Sequence, residues 1–544
     1  MSTAATPFPR SADRRSALDR AHIGDIHGAF GSVECYDTGP RLTRRRQLRT
    51  MLAILGPGLI VMAADKDAGT MSVFAQAGQE HGMELLWVLV VLAPLLYVSQ
   101  EMAARLGAVT GTGHARLVLE RFGRLWCAFS LTDLLILNFA ILVTEFIGVA
   151  LSLSYFGVSR YLAVPLAAAA LIVVSATGNF RRWERAMYAL ILADVGVVAL
   201  ALIARPSPST ISSGLVPAVD HGAATPMLLL LIALIGTTLT PWQIFFQQSN
   251  VIDKRITSRW LAYERIDTAI GTAVFILAAG AILIACAAAY AHVGPRTGFT
   301  DAADIARGLD AHLGRAAGAI FAIALLNASM LGAAAVSLSS SYATSEVLGV
   351  KHSLHRSFTD ARVFHGCFAT FIVIAACTVL IPGAPLGVIT THVQALAGIL
   401  LPCTLVLLLL LCNDAQLLGP LTNPRWLNVA GALAVATILG LSTMLTLTTI
   451  FPAVGLRDTL YVTLALLIAA TAVIGLTMAR AQPHERFDGG LTPWERKTWT
   501  SPMLERLAAP ASSPARTLGL AMLRGYTTVM VVLLLARLVT LLAR

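Results

Sequence analysis

The chain contains 544 residues, of which 56% are hydrophobic and only 13% are charged, and its formal net charge is +10. Its mean hydropathy is +0.73, and a soluble protein of this length would carry about twice this fraction of charged residues. Composition therefore excludes an ordinary soluble protein and indicates a helical membrane protein. Because its basic residues concentrate in loops between apolar segments, a membrane topology explains them and no nucleic-acid partner is predicted.

The predicted elements begin with a polar, arginine-rich stretch over residues 1–50, which we expect to be a mobile cytoplasmic extension without a signal peptide. Apolar stretches of membrane-spanning length follow, since about 20 helical residues cross the hydrocarbon core. Twelve such helices are predicted, at residues 51–80, 83–107, 125–156, 161–177, 184–204, 225–250, 266–292, 314–348, 362–382, 386–412, 426–451 and 458–479. A further apolar stretch, 527–542, contains Arg537 and either spans with a tilt or lies on the membrane surface.

This order divides the chain into a ten-helix core over residues 51–412, two additional helices over 413–479 and a C-terminal tail over 480–544. The loops after the second, fourth, sixth and eighth helices are basic, whereas alternate loops such as "PSPSTISSGLVPAVDHGAA" and "PGAPLG" carry almost no basic residues. Positive charge favours the cytoplasmic side. The pattern predicts a multi-pass protein of the inner or plasma membrane with a cytoplasmic N-terminus. It does not determine the oligomeric state and is compatible with a monomer.

Two of the predicted helices are interrupted by residues that are unusual in a membrane. The first contains "MAADKDAGT", residues 62–70, and the sixth contains "GTTLTPWQIFFQQS", residues 236–249. Breaks at corresponding places in two five-helix halves are typical of inverted-repeat transporters with a site at the membrane midplane. Unwound backbone is tolerated in a membrane only where it is buried in protein or lines a polar cavity.

Asp67 at the first break is the strongest candidate for a cation ligand, because an unpaired carboxylate inside a membrane is costly. The competing interpretation is a structural ion pair with Lys66. The neighbouring Asp65 is a candidate for the site or for a proton pathway, and Lys66 is either a counter-charge or directed away from the site toward water. Glu145 is a further lone acid in the third helix.

The sixth helix concentrates hydroxyl and amide side chains around Pro241, namely Thr237, Thr240, Gln243 and Gln247. Such oxygen atoms suit hard cations such as Mg²⁺ and Ca²⁺, and also Mn²⁺. Taken singly, each of these residues is better explained by hydrogen bonding between helices, and only their concentration around Pro241 favours a cation site. No motif of a soluble enzyme is present, so the chain is not predicted to be an enzyme, and no cofactor is predicted beyond a transported ion.

The stretch "GPGLIVMAADKDAGT…QAGQEHGMELLWVLV" resembles the first two helices of the NRAMP family of divalent-metal transporters, and "EMAARLGAVTGTG" resembles the end of the second. The resemblance extends over about residues 50–412. It implies an all-α, LeuT-type fold of two inverted five-helix repeats, with helices one and six broken. The substrate it implies is a divalent metal ion, carried across the lipid bilayer.

Carried over position by position, the metal-binding Asp of the family falls on Asp67 and its Asn on Thr70. The backbone-carbonyl Ala of the sixth helix falls on Thr237, and the Met that supplies a thioether ligand falls on Thr240. The tenth-helix Gln of the family matches Gln394.

Other family positions differ or have secondary roles. The His after the thioether Met falls on Trp242, the following Asn on Gln243, and a second His on Gln247. Of the acid pair implied in proton passage, the Glu matches Glu145, but the Asp is Leu142. The resemblance is thus to an NRAMP-related branch that lacks the Met and His of the sixth helix, implied to carry Mg²⁺.

These departures bear on selectivity and coupling. Without the Met sulfur the implied shell contains only oxygen, which suits Mg²⁺ or Mn²⁺ better than soft ions. The loss of the Asp and His positions makes proton coupling doubtful. The leading hypothesis is therefore a secondary transporter or facilitator of divalent cations. The alternatives are a LeuT-fold symporter for an amino acid or another organic solute, and an ion-binding membrane receptor or scaffold.

Overall fold

A computed structural model describes residues 17–37, 39–217, 224–291, 299–382, 386–450, 461, 491–508, 510 and 516–528. Its only sheet in these ranges is a hairpin of β1 (Ile26–Gly28) and β2 (Gly31–Val33), and the rest of the regular structure is helical. The helices are α1 (Arg44–Ile54), α2 (Pro57–Asp65), α3 (Ala68–His81), α4 (Leu86–Thr110), α5 (His114–Phe122), α6 (Arg124–Tyr155), α7 (Arg160–Ser175), α8 (Phe180–Ala193), α9 (Gly196–Ala204), α10 (Pro208–Gly214), α11 (Ala224–Thr238), α12 (Pro241–Asp253), α13 (Leu261–Tyr290), α14 (Ala302–Leu313), α15 (Arg315–Leu348), α16 (Arg362–Val379), α17 (Leu386–Cys412), α18 (Ala415–Leu418), α19 (Arg425–Ile450) and α20 (Pro493–Lys497).

Eleven of the twelve predicted membrane helices coincide with described helices. Eight helices in the described ranges are long and apolar enough to span a membrane, and the bent pair α1–α2 makes a ninth. The predicted fourth and eleventh helices are present as α7 and α19, whose apolar stretches are shorter. The predicted twelfth helix, 458–479, and residues 529–542 lie outside the described residues. The chain is a multi-pass integral membrane protein.

The predicted first helix is divided into α1, α2 and α3. Gly56 adopts a φ of 156°, and Pro57 starts α2 at an angle of 50° to α1. The carboxylate of Asp267, on α13, accepts hydrogen bonds from the N–H groups of Gly56, Gly58 and Leu59. A buried carboxylate thus satisfies the free donors at the start of α2, as an N-cap side chain does. The second division, between α2 and α3, lies at Lys66 and Asp67.

The sixth helix is divided as predicted. Helix α11 ends at Thr238, and α12 begins at Pro241, in the first helical position, where the missing N–H of proline is not needed. Thr240 precedes it with extended φ and ψ angles of −118° and 146°. The two predicted breaks are therefore confirmed.

The broken helices pack against unbroken ones. Helix α13 packs on α2 and α3, α17 packs on α11, and α4 and α15 flank α12. The contact of α2 with α13 is close, because a Cβ at Gly58 would lie 2.7 Å from the Thr268 backbone and one at Gly271 would lie 2.6 Å from the Gly58 carbonyl oxygen. Small residues that allow backbones to approach are the usual basis of helix packing in membranes.

Mobility of the extension over residues 1–50 stays a prediction, but its residues 19–37, which we call the N-terminal strap, contact the core. The Arg356 guanidinium pairs with the Asp19 carboxylate at 2.5 Å. Arg255 donates to the carbonyl oxygens of Ala21 and Asp25 at 2.9 and 3.0 Å. Polar composition predicted mobility, but the charged groups find fixed partners in the core.

The hairpin of the strap also packs on the core. Ile26 pairs with Val33, and a Cβ at Gly28 would lie 2.1 Å from the Ala53 carbonyl oxygen of α1. The Ala29 N–H donates to the Glu184 carboxylate of α8 at 2.5 Å. Three loops predicted from their charge to share one side of the membrane therefore contact a single strap. Which side of the membrane the strap faces stays a prediction.

Asp19 is the most constrained residue of the strap and is 3% exposed. Burial would raise the pKa of its carboxyl, but hydrogen bonds from the Arg356 guanidinium and the N–H groups of Ala21 and His352 reverse this effect, and its pKa lies below the ordinary value. A carboxyl with a lowered pKa stabilises the docked state above its unfolded pKa. That contribution is lost as the pH falls below about 4.

Arg356→Ala should loosen the strap without unfolding the bundle. A hydrogen bond to a charged group contributes about 1.5–3 kcal/mol, so backbone amides of β1 and β2 should exchange with deuterium at least about tenfold faster. Arg307→Ala is the matched control, since it removes an arginine whose partner Asp304 lies on the exposed face of α14. Equal exchange rates in the two variants would show that the Asp19–Arg356 pair does not secure the strap.

Candidate functional site

The two helix breaks face each other through their threonines. The Thr70 hydroxyl donates to the Asp65 carbonyl oxygen at 2.6 Å. It also lies 2.6 Å from the Thr237 hydroxyl, which can donate to it. All three residues are fully buried. The structure therefore brings together the end of α2, the start of α3 and the end of α11, as the two breaks predicted.

Asp67 is held at the first break by the start of α3. It is the N-cap residue of that helix, and its Oδ1 accepts the Thr70 N–H at 2.7 Å. Its Oδ2 is buried and has no hydrogen-bond partner among the described residues. One carboxylate oxygen thus orients the side chain, and the other remains available to a ligand.

Asp65 and Gln243 form a second corner of the site. The Gln243 amide N–H donates to Oδ1 of Asp65 and, at 3.2 Å, to the Thr238 carbonyl oxygen. Gln100, on α4, donates to the Gln243 side-chain oxygen at 2.9 Å. Gln100 is not among the predicted site residues, although a glutamine within an apolar helix could have indicated it.

Gln394 lies over both breaks. A Cβ at Gly69 would come within 1.6 Å of its Nε2, and a Cβ at Gly236 would come within 2.2 Å of its carbonyl oxygen. Both polar atoms of the Gln394 side chain are buried without a described partner. The absence of side chains at residues 69 and 236 thus lets α17 approach the site.

Glu145 contacts the same break from α6. Its Oε2 accepts the Ala68 N–H at 3.2 Å, one of the free donors at the start of α3. A Cβ at Gly332 would lie 2.7 Å from the Glu145 carboxyl carbon, so α15 leaves room for this acid. Glu145 therefore borders the site and supports the backbone of the break.

The sixth-helix candidates separate into two groups. Thr240 lies at the break, and its buried hydroxyl has no described partner. Trp242 is fully buried at the start of α12, and its carbonyl oxygen accepts the Ser339 hydroxyl at 3.1 Å. Gln247 lies two helical turns further on and donates to the Glu264 carboxylate at 3.1 Å. The structure therefore does not bring Gln247 to the breaks.

Lys66 is directed away from Asp67. Its ammonium lies 3.0 Å from the Asp194 carboxylate at the junction of α8 and α9. Both residues are buried. Lys66 is thus directed away from the site, as one of the two interpretations has it, but toward Asp194 and not toward water.

The site concentrates buried oxygen atoms that have no hydrogen-bond partner in the described residues: Oδ2 of Asp65, Oδ2 of Asp67, Oε1 of Glu145, Oγ1 of Thr240 and Oε1 of Gln394. Buried acceptors without partners are costly, so a group of them indicates a ligand that supplies positive charge or N–H and O–H donors. No group of three or more His, Cys, Asp or Glu side chains in the described ranges is arranged to hold a metal ion. A cation here would therefore contact a mixed set of carboxylate, hydroxyl and amide oxygens.

Membrane-length helices, two of them broken and facing each other across buried oxygen atoms, define a membrane transporter of the broken-helix type. Comparisons with known proteins agree with this class. The model of the family described as natural resistance-associated macrophage protein-like (Nramp) matches residues 58–448. The chain belongs to the Nramp family, so the predictions of an all-α, LeuT-type fold and of a transporter instead of an enzyme are confirmed.

Relatives and solved structures show how far this likeness extends. A divalent metal cation transporter, MntH, of Ralstonia nicotianae is 30% identical over 401 residues, covering 69% of this chain and 86% of the relative. MntH of Bacillus subtilis is 26% identical over 431 residues, covering 74% and 93%. The crystal structure of a manganese transporter from Eremococcus coleocola superposes with a TM-score of 0.62 at 20% identity, covering 84% of this chain and 98% of that one.

Gly69→Ala should impair the site without unfolding the protein. The new methyl group would occupy the position of the Gln394 amide, whose flexible side chain must move away from the break. We expect calorimetry to show metal affinity lowered at least about tenfold, a typical loss when a group that supports a metal site is displaced. Gly366→Ala, on α16, is the control because nothing lies within 4 Å of its new Cβ. An unchanged affinity for Gly69→Ala would mean that Gln394 does not contribute to binding.

Proposed function

We propose that the chain is a secondary transporter or facilitator of divalent metal cations, with Mg²⁺ or Mn²⁺ as substrate. The observation that carries this proposal is the group of buried, unpartnered oxygen atoms at the two facing breaks. The relatives from Ralstonia nicotianae and Bacillus subtilis are named divalent metal cation transporters, which supports the same substrate class. An amino-acid substrate is disfavoured because its carboxylate would meet Asp65 and Asp67.

The ligands we assign are the carboxylate of Asp67, the hydroxyls of Thr70 and Thr240, the carbonyl oxygen of Thr237 and the amide oxygen of Gln394. Each is buried and lies at or over a break. Gln243 lines the same site through its contact with Asp65. All of these ligand atoms are hard oxygens, which suit Mg²⁺ and Mn²⁺ better than Cd²⁺.

We propose further that transport is not strictly coupled to protons. Leu142 is fully buried and has no ionisable group, and Trp242 offers an N–H donor but no acceptor. Glu145 is the acid that remains beside the break. The protein would lie in the inner or plasma membrane, and the end of the bundle that carries the strap and the basic loops would face the cytoplasm.

Purified protein in liposomes should take up Mg²⁺ or Mn²⁺, and Asp67→Asn should lower this uptake at least about 100-fold, which corresponds to about 2.7 kcal/mol. Asparagine keeps the oxygen that caps α3 but removes the charge, so a loss is attributable to cation binding. Asp304→Asn, an exposed acid on α14, is the control. A lumenal pH dye in the same liposomes should report no acidification. Normal uptake by Asp67→Asn would contradict the site, and metal-dependent acidification would contradict uncoupled transport.

Thr240→Met should shift selectivity toward Cd²⁺. A thioether is a soft ligand, and residue 240 has a buried side-chain oxygen at the break that lacks a described partner. We expect the ratio of Cd²⁺ to Mg²⁺ affinity, measured by calorimetry, to rise at least about tenfold. The isosteric Thr240→Val adds no sulfur and should not raise the ratio of Cd²⁺ to Mg²⁺ affinity. A constant ratio in Thr240→Met would show that residue 240 does not face the ion.

A further inference from the structure

We propose that Asp65 is a second carboxylate ligand of the transported cation, so that the site binds a hard divalent ion between two acids. This inference rests on the proposed function and assigns a specificity-determining residue to it. The NRAMP resemblance assigns Asp67 to the metal but gives no role to residue 65. The contacts of Asp65 in the structure carry the assignment.

The position of Asp65 at the break supports the assignment. It is the last residue of α2, it is fully buried, and its carbonyl oxygen accepts the Thr70 hydroxyl at 2.6 Å. The N–H of the same threonine donates to Asp67 at 2.7 Å. Thr70 therefore contacts the backbone of Asp65 and the carboxylate of Asp67, and it is itself in contact with Thr237 across the site.

The two carboxylate oxygens of Asp65 are divided between two roles. Oδ1 accepts the Gln243 amide N–H, whereas Oδ2 is buried without a partner among the described residues. Asp67 shows the same division, with Oδ1 bound to a backbone N–H and Oδ2 unpartnered. In each acid one oxygen fixes the side chain and the other is left to contact a cation.

The Gln243 amide is oriented by its own hydrogen bonds. Gln100 donates to the Gln243 oxygen at 2.9 Å, so that oxygen is already engaged and the NH₂ group is turned to Asp65. The N–H group that faces Asp65 therefore fixes the orientation of its carboxylate. Gln243 is thus a positioning residue in this arrangement, and the ligand at this corner is Asp65.

The charge of the two acids also supports the assignment. Lys66 lies between the two acids in sequence, but its ammonium pairs with Asp194 at 3.0 Å. No Lys, Arg or His side chain forms an ion pair with Asp65 or Asp67 in the described parts of the chain. Asp65 and Asp67 therefore lack a fixed counter-charge, which a divalent cation would supply.

The experiment measures the Kd of purified protein for Mn²⁺ by calorimetry, together with Mn²⁺ uptake into liposomes. Asp65→Asn is nearly isosteric and removes only the charge. We expect its Kd to rise at least about tenfold, since even supporting groups of metal sites contribute this much. The control is Asp133→Asn. Asp133 is a buried acid that precedes Glu145 on α6 by about 18 Å along the helix axis. Its Kd should equal that of the wild type.

Gln243→Leu keeps the Asp65 charge but removes the N–H that orients it, and it serves as a second variant if Asp65→Asn does not fold. We expect a smaller rise in Kd, about threefold to tenfold. A Kd within twofold of the wild type in either variant would overturn the proposal. So would a normal Kd for Asp65→Asn with altered pH dependence of uptake, which would make Asp65 a proton carrier. A wild-type protein that neither binds nor moves Mn²⁺ or Mg²⁺ would instead refute the proposed function.

Discussion

Inside a membrane every free backbone N–H and carbonyl group must find a partner in the protein, and the structure is organised around this constraint. Three acids from three helices satisfy it at the divided first helix. Asp267 binds N–H groups at the start of α2, Asp67 caps α3, and Glu145 accepts the Ala68 N–H. Two of these acids, Asp67 and Glu145, concentrate negative charge at the division between α2 and α3. Capping of the backbone and the cation binding that we propose would therefore depend on the same acids.

The fold brings the breaks together by giving them common neighbours. Helix α17 crosses both, with the Gln394 side chain over Gly69 and its backbone against Gly236. Helix α4 reaches the same point through Gln100, and α6 does so through Glu145. Unbroken helices thus position residues of the broken ones. A ligand bound at the site that we propose would contact both halves of the molecule, as alternating access requires.

The helices and the two breaks could be predicted because their determinants are local. Apolar length defines a span, Pro241 starts α12, and Asp67 caps α3 within three residues. The remaining features depend on residues far away in the chain. The direction of Lys66 is set by Asp194, and the place of Gln247 is set by Glu264. Similarly, the strap is polar enough to resemble a mobile tail, and only its distant partners order it. Periodicity and composition contain no information about such pairs.

The contacts of the strap also impose an order on biosynthesis. Asp19 leaves the ribosome among the first residues, whereas its partner Arg356 is 337 positions later. Insertion of the helices up to α15 therefore precedes this ion pair, and the Asp19 carboxylate lacks Arg356 while they enter the membrane. The contacts of the strap with Glu184 and Arg255 involve earlier parts of the chain, so the pair with Arg356 is the last of the three to become possible. A chain that stops short of Arg356 lacks the partner needed to secure its own beginning.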